Sequence, residues 1–247
     1  MSLPKFRIRH LAMTVAAVSA VTLAGTAAAQ TMVVRATGPS ASKYPAGSRL
    51  KDSDKVTLIA GDKLVLMQSG KTRTLSGPGN FTANGPVSAS QNTSTAVTRM
   101  LAKGPTMRSR GGFSRGTDAQ KVLDARAPNL WLLDYREGGT FCVADAGGLL
   151  LWRPDMDSDQ LLRIEQGEHS DTIAFVSGAN YRKWPNETLP IQYNVDYKLS
   201  GGGLAAPVTV RFAALNSTPD GAEASMEALI SKNCTGQIDR LAAAMAD

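Results

Sequence analysis

Histidine and cysteine are almost missing from this sequence. Of 247 residues two are histidine, His10 and His169, and two are cysteine, Cys142 and Cys234. So few nitrogen and sulfur ligands exclude a structural zinc site, which takes four of them, and no cofactor or metal is expected. Aromatic residues make up only 6%, and the short basic segment at residues 104–116 lacks the repeated aromatic interleaving that stacks on bases, so no nucleic-acid partner is expected. No Gly-x-Ser-x-Gly elbow accompanies His169, which removes the simplest serine-hydrolase reading. After the first 29 residues no apolar run approaches the roughly 20 residues of a membrane-spanning helix.

The N-terminus holds the one extended apolar stretch, and it has the three parts of an export signal. Lys5, Arg7 and Arg9 are a positive leader, Leu11 to Leu23 an apolar stretch of small and branched residues, and Ala27-Ala28-Ala29 a small-residue cleavage site. Residues 1–29 are therefore expected to be a signal peptide, and the mature chain to begin near Gln30 in a periplasmic or secreted location. The signal holds three of the 27 basic residues and none of the 21 acidic ones. What remains carries a formal charge of +3, ordinary for a globular protein and no argument for a polyanionic partner. In an oxidising compartment a lone cysteine pair usually forms a disulfide. A Cys142–Cys234 bond would close a loop of roughly 90 residues, worth about 4 kcal/mol by the chain-entropy argument; two buried free thiols are the alternative.

The mature sequence divides by composition. Residues 30–84 hold short branched runs, Met32-Val33-Val34, Val56 to Ile59, Leu64-Val65-Leu66 and Thr72 to Leu75, separated by Gly61-Asp62, Ser69-Gly70 and Gly77-Pro78-Gly79. This predicts a small antiparallel β meander or barrel-like unit, with a tight hairpin across Gly61-Asp62. Residues 85–129 look like a basic flexible linker with a possible short helix over Thr95 to Lys103. Arg108, Arg110 and Arg115 stand among Gly and Ser between Gly104 and Gly116, and a solvated connector is favoured over an anion-binding patch. Residues 130–247 predict a β-sandwich-like domain of about seven strands, ending in one C-terminal helix. Tyr193, Val195, Tyr197 and Leu199 alternate with polar residues, as do Val208, Val210 and Phe212, which fits sheets wet on one face. In the helix Met226, Leu229, Ile230, Cys234, Ile238, Leu241 and Met245 share one face. Thr218-Pro219-Asp220 is its expected start, and Gly236 its expected weak point. The fold class is thus mainly β with a C-terminal α-helix.

Catalytic candidates are few. His169 lies in a polar turn, Gly167 to Asp171. The alternation Asp155-x-Asp157-x-Asp159 resembles part of a calcium loop but lacks its glycine and closing glutamate. Glu165 and Glu168 could pair as acid and base only across a cleft. No residue is assigned a catalytic role. Trp131, Trp152 and Trp184 would be ligand-stacking residues if exposed, and core residues otherwise.

The stretch Gly47-x-x-Leu50, Val56-Thr57-Leu58-x-x-Gly61-Asp62-x-Leu64, Gly70 and Gly77-Pro78-Gly79 resembles a FecR-type periplasmic β domain over about fifty residues. That resemblance implies signal relay or protein binding, although the cytoplasmic part and membrane segment of such a relay are lacking. The wider layout is similar to exported proteins of alphaproteobacteria. It is carried by Leu130-Trp131, Phe141-Cys142-Val143, Leu151 to Pro154, Trp184-Pro185, Leu189-Pro190 and Cys234-x-x-Gln237, and it implies a periplasmic location. Two functions compete: a non-enzymatic envelope-sensing or interaction module with an envelope protein partner, and a carbohydrate-binding protein or hydrolase of the cell envelope.

Overall fold

A computed structural model describes residues 31–86, 93–102 and 125–246. The signal peptide expected over residues 1–29 and the linker segment expected over Gly104–Gly116 lie outside the described residues. The described residues form six strands, an α-helix, eight more strands and two α-helices, with one short 3-10 turn at Ala41–Lys43, so the fold is mainly β.

The first six strands are β1 (Thr31–Thr37), β2 (Arg49–Leu50), β3 (Lys55–Leu58), β4 (Lys63–Gln68), β5 (Lys71–Ser76) and β6 (Gly79–Thr82). They make a four-stranded antiparallel sheet, β2-β1-β4-β5, and a two-stranded sheet, β3-β6. Val33, Leu64, Leu66 and Leu75 of one meet Val56 and Leu58 of the other. No barrel closes. The hairpin expected across Gly61-Asp62 does not form either: β3 pairs with β6, and β4 pairs with β5. Asp62 is the reason. Its buried carboxylate accepts the Ser40 N–H at 2.9 Å and the Ile59 N–H at 2.7 Å, which turns the chain from one sheet into the other. Those backbone donors also hold its carboxyl below the usual aspartate range, the Ser40 bond contributing most. The tight hairpin is instead at Ser69-Gly70, where φ values of 49° and 72° give the left-handed pair that a two-residue turn requires.

The second β unit comprises β7 (Leu132–Asp134), β8 (Gly139–Val143), β9 (Leu150–Trp152), β10 (Gln160–Gln166), β11 (His169–Phe175), β12 (Tyr181–Lys183), β13 (Asp196–Gly201) and β14 (Val208–Ala214). A five-stranded sheet, β11-β10-β13-β14-β8, lies over a three-stranded one, β12-β9-β7. Leu133, Leu151, Leu162, Ile164, Phe175, Tyr197 and Phe212 fill the space between them. The sheets are not purely antiparallel as expected, because β14 pairs with β8, and β7 with β9, in parallel. Parallel neighbours need a crossover between them, and β8 supplies it for β7 and β9 by passing through the opposite sheet. The alternation begun at Tyr193 also breaks. Asn194 takes a left-handed φ of 62°, the strand starts only at Asp196, and Tyr193 is exposed.

Three α-helices of the described residues lie between the units: α1 (Thr93–Leu101), α2 (Gly221–Ser231) and α3 (Thr235–Ala246). The single C-terminal helix of the sequence reading is two helices. Asn233, at φ 56°, stops the first of them, and Cys234 N–H bonds back to Leu229 O at 3.0 Å. Asparagine tolerates this left-handed terminating position. Gly236 sits harmlessly in the first turn of α3. The first helix starts after Asp220, two residues later than the Thr218 cap would place it. The apolar stripe survives the break. Met226, Leu229, Cys234, Ile238, Leu241 and Met245 are all buried, against Met32, Val34 and Met67 on one side and Leu130, Cys142 and Ala213 on the other. One core therefore joins both β units through the helices. Gly47, at φ 86°, lets the first unit come close: a Cβ there would stand 2.8 Å from Ile230 Cγ2.

Candidate binding cavity beside the disulfide

Cys142 on β8 and Cys234 before α3 form a disulfide, their Cα atoms 5.8 Å apart and both residues fully buried. Its surroundings are built by Gln237, one helical turn later. The side-chain amide of Gln237 accepts the Cys142 N–H at 2.6 Å and donates to Cys142 O at 3.1 Å and Leu130 O at 3.0 Å. It thereby stands in for a neighbouring strand along the outer edge of β8, where backbone groups would otherwise be buried without partners.

Beside this bond is a cavity of about 350 Å³, at the small end of the range for ligand sites. Its walls are apolar, from Trp131, Leu132, Phe141, Val143, Leu149 and Leu150, with Asn129, Asp145 and Thr218 among the polar lining residues. Asn129 Oδ1 accepts the Trp131 N–H at 2.8 Å and so sets the local chain path. The ring nitrogen Nε1 of Trp131 is buried and has no hydrogen-bond partner. A buried donor left unpaired is costly. The cavity wall itself suits an apolar group.

The other two tryptophans offer no open face, which corrects their candidacy as stacking residues. Trp184 is 1% exposed; its Nε1 donates to Leu189 O at 2.8 Å, and its ring meets Tyr197 and Phe212 edge-on at 5.3 and 5.0 Å. Trp152 is 5% exposed and lies under the Arg136 guanidinium at 5.6 Å. Both are core residues because β9 and the segment after β12 turn them inward. Only Trp131 is half-buried and faces a cavity.

The ionisable candidates remain apart. His169 is exposed at the β10–β11 hairpin, opposite Gln166. Asp155 accepts the Asp157 N–H at 2.9 Å, and Asp159 accepts the Ser177 N–H at 2.6 Å, so these acids organise a turn. Arg163 bonds Glu165 at 2.9 Å and holds its carboxyl below the usual glutamate range. Among the described residues no three His, Cys, Asp or Glu side chains are grouped to hold a metal, and no helix is long and apolar enough to cross a membrane.

Several polar residues are buried, and of these Arg153 makes the contact with an aromatic ring that its place beside Trp152 led us to expect. Arg153 is 1% exposed, donates to Ala179 O, Ser158 O and Val176 O at 2.9–3.0 Å, and lies 5.1 Å above the Phe175 ring. Arg240 and Gln237 are buried on α3. Gln237, Arg240 and Ala244 follow one another at steps of three and four residues, and that was the available signal, a second buried arc beside the apolar stripe. Comparison with protein-family models, with curated proteins and with solved structures finds no match to this chain.

Proposed function

We propose that this chain is an exported envelope module that works by binding, and that the Trp131 cavity receives an apolar side chain of an envelope protein partner. The carrying observation is the half-buried Trp131 in the wall of a largely apolar cavity. Aromatic side chains in desolvated pockets dominate protein interfaces. The export signal in the sequence and the buried disulfide fit an oxidising compartment. The FecR-like turn rhythm of residues 47–79 supports binding in the same direction. A carbohydrate-stacking role has less support, since two of its three tryptophans are core residues.

The test is recovery of a partner from envelope extracts by the native protein and by Trp131→Ala, with partners identified by mass spectrometry and folding checked by thermal melt. A protein recovered by the first and reduced at least tenfold with the second supports the reading. Equal recovery by both, or no reproducible partner, overturns it.

A further inference from the structure

A second cavity, of about 300 Å³, lies where α1 and α3 meet the segment that enters β7. Three arginines line it, Arg99 of α1, Arg126 and Arg240 of α3, and the rest of its wall is small and apolar, including Ala96, Met100 and Ala244. Arg240 is 2% exposed. Its Nη1 donates to Asn129 O at 3.3 Å and Leu132 O at 3.2 Å. Its Nε and Nη2 are buried without hydrogen-bond partners. The nearest opposite charge is Glu137, whose Oε2 is 3.7 Å from Nε, an ion pair without a hydrogen bond. Asp134 also acts on Arg240, but its carboxylate is bound by Arg136 through two nitrogens, at 2.9 and 2.7 Å.

Among the described residues that line the cavity three are arginine and none is acidic. Buried guanidinium donors are stable when an oxyanion accepts from them, and the planar fork of arginine matches phosphate and carboxylate oxygens. Arg126 adds to the positive potential at both Glu137 and Arg240. Arg99 and Arg126 are exposed and sit at the rim, placed to meet an arriving anion, whereas Arg240 forms part of the inner wall.

We infer that this cavity is an oxyanion site, taking a phosphate or carboxylate group borne on a small apolar body. The chemistry fits a free anion or the headgroup of an anionic lipid. The site is separate from the Trp131 cavity and does not depend on the function proposed for it.

The test uses the purified mature chain. Its thermal midpoint is followed with rising inorganic phosphate or butyrate at ionic strength held constant with chloride, since an anion that binds only the folded state raises the midpoint with concentration. In parallel, sedimentation measures binding to phosphatidylglycerol and to phosphatidylcholine vesicles. The expected result is a saturable rise with a free anion, or binding to the phosphatidylglycerol vesicles alone; which arm responds identifies the source. The double variant Arg99→Gln/Arg126→Gln changes only exposed side chains and should weaken the response at least tenfold with the fold intact. Arg240→Lys, which keeps the charge and loses the fork, should weaken it as well. Neither anions nor vesicles exceeding the chloride and phosphatidylcholine controls would overturn the site, as would an undiminished response in the double variant.

Discussion

Tyr135 concentrates several of the effects that hold single residues in place. Its hydroxyl donates to Gly202 O at 2.5 Å, and its ring lies 5.5 Å from that of Phe175. Gly202 adopts φ 57°, and a Cβ there would crowd Leu162 and the Tyr135 hydroxyl at 3.0–3.3 Å. Burial pushes the phenol up to about 12, because the phenolate would be charged inside the sandwich; Arg153 opposes the shift only in part. The folded pKa is raised, so the neutral form is favoured by folding. The corresponding stability is fully present below about pH 10, the free tyrosine value, and is lost as pH rises through about 12. Ultraviolet titration of the native protein should show a tyrosine ionising near pH 12, and Tyr135→Phe should remove that component. The same substitution should lower neutral-pH stability by about 1–2 kcal/mol, since Gly202 O loses its donor. An unchanged alkaline titration would show that another tyrosine is the late one.

At the scale of elements, α3 is the piece on which the others depend. It touches α1, α2, β5 and β8, and its Gln237 completes the edge of β8. Arg35 of β1 pairs with Asp239 of α3, and Arg49 of β2 pairs with Glu227 of α2. Both pairs are exposed enough to contribute little, so apolar burial and the Gln237 bonds carry the docking. Gln237→Ala leaves one N–H and two carbonyls without partners in a dry site, and denaturant unfolding should show a loss of about 2–4 kcal/mol. Gln237→Glu is the sharper test. A carboxylate can accept from Cys142 N–H but cannot donate to Cys142 O or Leu130 O. This variant should therefore lose stability as pH rises and its carboxyl ionises. A pH-independent loss equal to that of alanine would mean that shape matters at this position and donation does not.

For the whole molecule, the disulfide closes a loop of 92 residues between β8 and the start of α3, and chain entropy rates it at about 4–5 kcal/mol. The helices it anchors cover Met32, Val34 and Met67 of the first unit as well as Leu130 and Ala213 of the second. Cys142→Ser or Cys234→Ser should lower the thermal midpoint, open protease cleavage after Leu215, and raise binding of a hydrophobic dye as the first sheet is uncovered. The sheets themselves should retain their far-ultraviolet signal beyond that point. A single transition with no cleavage after Leu215 would show that the helices stay docked without the bond.

What the sequence determined by itself follows from short-range rules. Period-two runs such as Val208, Val210 and Phe212 mark one buried face of a strand whatever the topology. The stripe from Met226 to Met245 marks a helical face to be buried, and a lone cysteine pair in a chain expected to be exported marks a bond; Cys142 and Cys234 proved close enough to form it. The tertiary structure decided what depends on partners distant in sequence. Asp62 became a corner instead of a hairpin because Ser40 and Ile59 offer their N–H groups to its carboxylate. Trp152 and Trp184 became core, while Trp131 faces a cavity, because the crossing of β8 between sheets sets which rings are covered. Arg240 lines an arginine cavity because α1 and α3 pack side by side. Composition marks a residue as polar or apolar, but whether its hydrogen bonds are met is set by neighbours that only folding brings near.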